Sequence, residues 1–146
     1  MEYIEAPNFI DTDKRSLFLA GGISGCRPWQ NEILPGLDKM DITVFNPRRK
    51  NFPTDRDVTM EQITWEYSYL RKASVISFWF CRETLCPITL FELGAWLMTN
   101  KPIIIGMDPD YQRRVDIEIQ TKLARPEIQI VYSLRELLFQ IYMNFR

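Results

Sequence analysis

Val75-Ile76-Ser77-Phe78-Trp79, the helix-period segment Pro87 to Thr99, and Ile103-Ile104-Ile105 follow one another along the chain, and their reading decides the fold. The two outer runs are almost continuously apolar and rich in β-branched and aromatic residues, without the strict alternation of a strand that faces water on one side. Each reads as a β-strand buried on both faces. Two such strands joined by a helix run parallel, because the helical crossover returns the chain to the edge where the first strand began.

The same alternation continues outward in both directions. Leu17-Phe18-Leu19-Ala20 and Ile42-Thr43-Val44-Phe45 read as strands before it and Ile128-Gln129-Ile130-Val131 as a strand after it. Between them lie helical segments at Pro28 to Met40, Thr59 to Ala73 and Val115 to Leu123, and Ser133 opens a last helix. The pattern predicts one domain over residues 1–146: a three-layer, flavodoxin-like α/β sandwich with a five-stranded parallel sheet in the order 2-1-3-4-5. A ligand is then expected beyond the C-terminal strand ends, near the switch point between strands 1 and 3. Residues 1–15 read as an irregular arm. The polar stretch Asn46 to Asp57 is long for a strand-to-helix connection and is a candidate substrate loop.

Composition narrows the chemistry. With 18 basic and 19 acidic residues the formal charge is −1, too little positive field to hold a polymeric nucleic acid. The start of the chain lacks the basic-then-apolar order of a secretory signal and no apolar run reaches the length of a membrane span, so a cytoplasmic protein is expected. The chain has no histidine, which removes imidazole-based catalysis and the usual imidazole zinc sites and leaves carboxylates, Tyr, Lys and Cys. No metal or organic cofactor is expected. Cys26, Cys81 and Cys86 are odd in number and lack CxxC spacing; Cys81 and Cys86 read as packing or loop residues.

Three loops after strands carry the candidate site. Ala20-Gly21-Gly22-Ile23-Ser24-Gly25 is a glycine-rich turn in which Gly21 and Gly22 allow backbone N–H groups to approach a ligand closely. It nearly matches a dinucleotide fingerprint, but strand 2 ends in Phe45-Asn46-Pro47-Arg48-Arg49 and not in the acid that would grip a ribose. Asn46 there is a candidate for a sugar or base contact, whereas Arg48, Arg49 and Lys50 read more simply as a solvated loop. In Cys86 to Leu97, Glu92 is the only charge on a helix apolar on almost every side. Its early place in the helix is expected to keep it ionised through the helix dipole, as a nucleophile for a sugar carbon requires. The plainer reading is a Glu that complements the helix start. Glu66, set among Trp65, Tyr67 and Tyr69 on the preceding helix, would supply a second carboxylate for glycosidic chemistry; the plainer reading is a surface pair with Arg71 or Lys72.

Phe18-Leu19-Ala20-Gly21-Gly22, Asn46-Pro47-Arg48-Arg49, Trp65-Glu66 with Ala73-Ser74-Val75-Ile76, and above all Phe91-Glu92-Leu93-Gly94-Ala95 make the chain resemble the nucleoside 2-deoxyribosyltransferases from Leu17 to about Gly106. The resemblance implies that Glu92 attacks the anomeric carbon, that one base leaves, and that a second base collects the deoxyribosyl group with net retention. It places Glu66 where the family usually has an aspartate and Cys86 where it commonly has a substrate-contacting Asp, and it makes Asp116 the candidate for a polar residue lent by a neighbouring subunit. The chain ends Asn144-Phe145-Arg146, without the tyrosine that many members carry at that end. A related branch hydrolyses nucleotides, so N-glycoside hydrolysis and a non-catalytic nucleotide-sensing module are the alternatives to transfer. The implied partners are deoxynucleosides and free nucleobases.

The resemblance also implies a homo-oligomer. Independently, the segment Leu134 to Phe145 is apolar most of the way around a helix, more than one sheet face can cover. Either a second copy covers the remainder, or the residue 1–15 arm folds back over it.

Overall fold

The computed structural model describes residues 1–50 and 56–146. Its elements in chain order are β1 (Glu2–Glu5), β2 (Ser16–Gly21), α1 (Trp29–Leu37), β3 (Thr43–Asn46), α2 (Arg56–Lys72), β4 (Val75–Phe80), α3 (Pro87–Leu97), β5 (Ile103–Met107), α4 (Arg114–Ala124) and α5 (Leu134–Phe145). The sheet has five strands in the order β1-β3-β2-β4-β5, all pairs parallel. The three-layer α/β architecture read from the sequence is therefore the one observed.

Two edges differ from the expected order. The N-terminal arm is not irregular throughout: Glu2–Glu5 pairs with Thr43–Asn46 as an edge strand. Its signal is weak because an edge strand four residues long with a Glu at each end buries little, and such charges are how edges avoid further pairing. At the other edge, Ile128-Gln129-Ile130-Val131 is not a strand and meets β5 through one isolated bridge, Gly106 to Val131. Only Val131 of the four is buried, Gln129 is exposed, and Ser133 already caps α5 by accepting the Glu136 N–H. The expected 2-1-3-4 core survives as β3-β2-β4-β5.

Strand parity places the helices. On β2, Phe18 meets the Trp65 ring of α2 at 5.9 Å, while three residues later the Cα of Gly21 faces Trp29 of α1. An odd separation along a strand means opposite faces, so α1 and α2 flank the sheet from two sides. Helix α5 packs on α1, β4 and β5, and α3 packs on β4. Beyond β1 the arm lies over α2, where the Tyr69 hydroxyl accepts the Ile10 N–H at 2.8 Å, the Trp65 indole N–H reaches Asn8 O at 2.7 Å and Lys72 pairs with Asp11 at 2.8 Å, and it touches α5 at its last turn, where Arg15 donates to Asn144 O at 2.7 Å and stacks over Phe145. Phe139, Tyr142 and Met143 of α5 remain exposed. Among the described residues, no helix is long and apolar enough to cross a membrane.

Trp29, fully buried, fills the space where a Gly21 side chain would stand. A Cβ added at Gly21 would lie 2.5 Å from the indole Cζ2 and 2.7 Å from the Trp79 carbonyl oxygen, and a backbone atom cannot swing aside. Gly21→Ala should therefore lower stability by about 1–3 kcal/mol, as overpacking of a close-packed core does, and urea unfolding monitored by tryptophan fluorescence measures it.

Candidate functional site

A cleft of about 400 Å³ opens at the C-terminal end of β2. From β2 the chain crosses through α1 to β3 on one side, while β4 lies on the other, so the cleft occupies the switch point of the sheet. Its walls come from the strand-to-helix loops and the facing surfaces of two helices. Gly21, Gly22, Ile23 and Ser24 follow β2; Gln62, Ile63 and Glu66 come from α2; Thr84, Cys86, Ile88 and Glu92 come from the loop after β4 and from α3.

Helix α3 starts abruptly. Cys86 adopts a left-handed backbone conformation (φ 49°, ψ 58°), Pro87 takes the first helical position, and the Leu90 N–H closes the first turn onto Cys86 O at 3.0 Å. Glu92 thus stands in the second turn, beyond the span over which the helix dipole acts. Burial, with the Glu66 carboxylate as a second cause, pushes the Glu92 carboxyl up to about 8. Among the described residues no hydrogen-bond donor or cation offsets this. The helix start is therefore not what governs Glu92: burial and the neighbouring Glu66 carboxylate favour its protonated form.

Glu66 faces the same cleft from α2. Burial raises its carboxyl too, while the Gln62 amide, donating to Oε1 at 3.0 Å, and Arg49 pull it back. Gln62 is itself buried and connects the elements: its amide N–H also reaches Pro47 O at 2.8 Å, and its Oε1 accepts the Arg49 Nε–H at 2.6 Å. Arg49 pairs in turn with Glu61 at 2.8 Å. Arg71 stacks over Tyr67, and Lys72 holds Asp11, so neither takes the surface pairing that would have explained Glu66 away.

The structure brings Glu92, Glu66, Gly21, Gly22 and Cys86 to one cleft, with Asn46 and Asp116 outside its lining. The buried Asn46 amide donates to the Tyr3 hydroxyl at 2.9 Å, and its Oδ1 accepts the Arg48 N–H at 3.0 Å. Asp116, at the start of α4, pairs with Arg113 at 2.9 Å and is half-exposed. Gly94 is exposed, and among the described residues nothing lies within 4 Å of where its Cβ would stand. Of the candidate loop Asn46 to Asp57, residues 51–55 lie outside the described residues. Sequence reading missed Gln62, although it sits four residues before Glu66 and hence on the same helical face.

The cysteines were also under-read. Cys26 and Cys81 form a disulfide, and the Cys86 thiol lies 3.6 Å from the Cys81 sulfur. All three sulfurs crowd Gly22, within about 3 Å of where its Cβ would be. The donor atoms of Cys26, Cys81 and Glu83 come within 4.8 Å of one another, but both sulfurs are committed to their bond and offer no thiolate to a metal.

Residues 14–111 match the family model described as nucleoside 2-deoxyribosyltransferase like. The chain belongs to this family. Comparison with curated proteins gives no match. The segment shared with the nucleoside 2-deoxyribosyltransferase-like family runs from just before β2 to just after β5 and contains every residue named in the cleft wall. Edge strand β1 and helices α4 and α5 lie outside it.

Because the unfolded Glu92 carboxyl ionises near 4.5 and the folded one near 8, the folded state holds the extra proton between those values. Wild-type stability therefore falls as pH rises from about 4.5 to about 8 through this group. Glu92→Gln lacks that dependence: its melting temperature should match the wild type near pH 5 and exceed it near pH 9, as thermal unfolding at both pH values will show.

Proposed function

We propose that the protein is a nucleoside 2-deoxyribosyltransferase, a pentosyltransferase of nucleotide salvage that acts in the cytoplasm on deoxynucleosides and free nucleobases. The observation that carries the reading is the placement of two electrostatically coupled carboxyl groups, from adjacent helices, in one cleft at the sheet's switch point. Two carboxylates facing one apolar cleft do not both ionise readily, so the pair shares a proton. In the reactive form Glu92 is ionised and Glu66 carries the proton. A Glu92 oxygen bonds to C1′ of the sugar as the C1′–N bond breaks; the bonding pair goes to the base nitrogen, and the base takes up the Glu66 proton. The reverse sequence with a second base releases the new nucleoside with retention. Gly21, Gly22 and Cys86 border the substrate in this scheme, and no metal or organic cofactor has a part in it. Water in place of the second base would make the same site a hydrolase.

The scheme fixes an assay. A deoxynucleoside incubated with a second free base should yield the new deoxynucleoside, resolved by chromatography, and free sugar as the main product would instead identify a hydrolase. Glu92→Gln should lose about a thousandfold or more in rate, since an amide cannot form the ester intermediate. For the wild type, kcat/KM should fall as pH rises through about 8, where the pair loses its shared proton and Glu66 has none left to give the departing base. Activity of Glu92→Gln close to wild type would end the proposal.

We further propose a homo-oligomer, and the exposed surface supports a face other than α5 as its centre. Met60, Ile63 and Tyr67 of α2, Ile88 and Phe91 of α3, and Met98 just after α3 are all exposed, Phe91 at 77% and Met98 at 80%. Ile63 and Ile88 are also in the cleft wall, so a second copy seated there would close over the site. Asp116 keeps its proposed role as a residue lent between subunits. Light scattering after size exclusion should give a multiple of 17.4 kDa for the wild type and a smaller species for Phe91→Glu; a wild-type mass of one chain would rule the oligomer out.

A further inference from the structure

The loop between β2 and α1 is held by its carbonyl oxygens. Gly22 O accepts the Trp29 indole N–H at 3.2 Å. Ile23 O and Cys26 O accept from Nη2 of Arg48 at 2.9 and 2.7 Å, with Arg27 O at 3.3 Å. Arg27 O also accepts the Trp29 backbone N–H at 2.7 Å. One guanidinium nitrogen thus draws three carbonyls of a six-residue turn toward a single point.

Arg48 is not the solvated loop residue expected from the sequence. Its Nε is buried without a partner, and among the described residues no carboxylate pairs with it. Among the described residues its charge is met by carbonyl dipoles, the electrostatics of a cation at a helix C-terminus. Its own backbone is fixed by the Asn46 side chain, which β1 holds through Tyr3. A connection therefore runs from the edge strand through Asn46 and Arg48 to the loop.

In a planar trans peptide the C=O of one residue and the N–H of the next point in opposite directions. Turning Ile23 O toward Arg48 directs the Ser24 N–H away from it. Ile23 and Ser24 border the cleft, whereas Arg48 does not. We propose that Arg48 is a positioning residue that fixes the Ile23–Ser24 peptide so that the Ser24 N–H is presented to the substrate as a donor for a sugar hydroxyl or base carbonyl oxygen. The inference rests on the cleft being the nucleoside site proposed above.

The clamp and its use are tested separately. In ligand-free protein, Arg48→Met should raise hydrogen–deuterium exchange of peptides covering residues 22–27 by about tenfold, with β4 and β5 unchanged, and Arg48→Lys should fall between. This readout needs no activity, so it survives failure of the functional reading; unchanged exchange in both variants would overturn the clamp. In the base-exchange assay, Arg48→Met should raise KM for the deoxynucleoside by about tenfold with kcat changed by less, as loss of uniform binding does. Millimolar methylguanidinium should partly restore KM in Arg48→Ala. Faster exchange with an unaltered KM would overturn the presentation of Ser24. If the wild type turns over no nucleoside, calorimetric titration with deoxyadenosine replaces KM, and equal affinity, or none, in wild type and variants overturns it equally. Should Arg48→Met not fold, Arg48→Lys carries both comparisons.

Discussion

The contact between the Trp29 ring and the bare Cα of Gly21 is the constraint on which the rest of the site depends. It sets how closely α1 approaches the end of the central strand β2. From that fixed ring the indole N–H holds Gly22 O, and the backbone N–H of the same residue holds Arg27 O. The glycine turn is therefore tied at both ends to one residue, by its side chain at Gly22 and by its backbone at Arg27. Gly22 must likewise lack a side chain, because three cysteine sulfurs occupy the space beside it.

That arrangement explains why the carboxyl groups face an open cleft and not a packed core. With the β2 turn drawn toward α1 and Arg48, the space between α2 and α3 above β2 is left to Pro47, Ile63, Ile88 and the two acids. The wall is largely apolar, which is why burial is the leading cause of the raised Glu92 and Glu66 carboxyls. A proton held by this pair costs stability when the pH is raised but keeps two acids in one small volume. The fold tolerates this destabilisation where the proposed chemistry needs it.

The aromatic residues, numerous for so short a chain, divide between two tasks. Trp29, Trp65, Phe18, Phe45, Phe78 and Phe80 are fully buried and build the two helix–sheet layers. Phe91, Tyr67 and Phe139 stand in solvent on helices whose other faces are already packed. Burial inside a single chain does not account for the second group.

What the sequence alone determined follows from periodicity and from the cost of burying charge. Runs such as Val75 to Trp79, separated by helix-period segments, dictated a parallel sheet covered on both faces, and a lone Glu on the apolar Cys86 to Leu97 segment marked the site. Glycines after β2 were legible for the same reason, since few other roles suit two of them at a strand end. Tertiary structure decided what depends on neighbours distant in sequence. Edge pairing of Glu2–Glu5 was one such matter, because a short charged strand forms only when β3 offers its free backbone groups. The protonation of Glu92 was another: local position suggested a helix dipole, while desolvation by surrounding elements and the approach of Glu66 set the outcome. Asn46, Arg48 and the cysteines changed meaning for the same physical reason. A polar side chain's role is fixed by the partners that folding brings to it, and those lie far off in sequence: Tyr3 is 43 residues from Asn46, and Cys81 is 55 residues from Cys26.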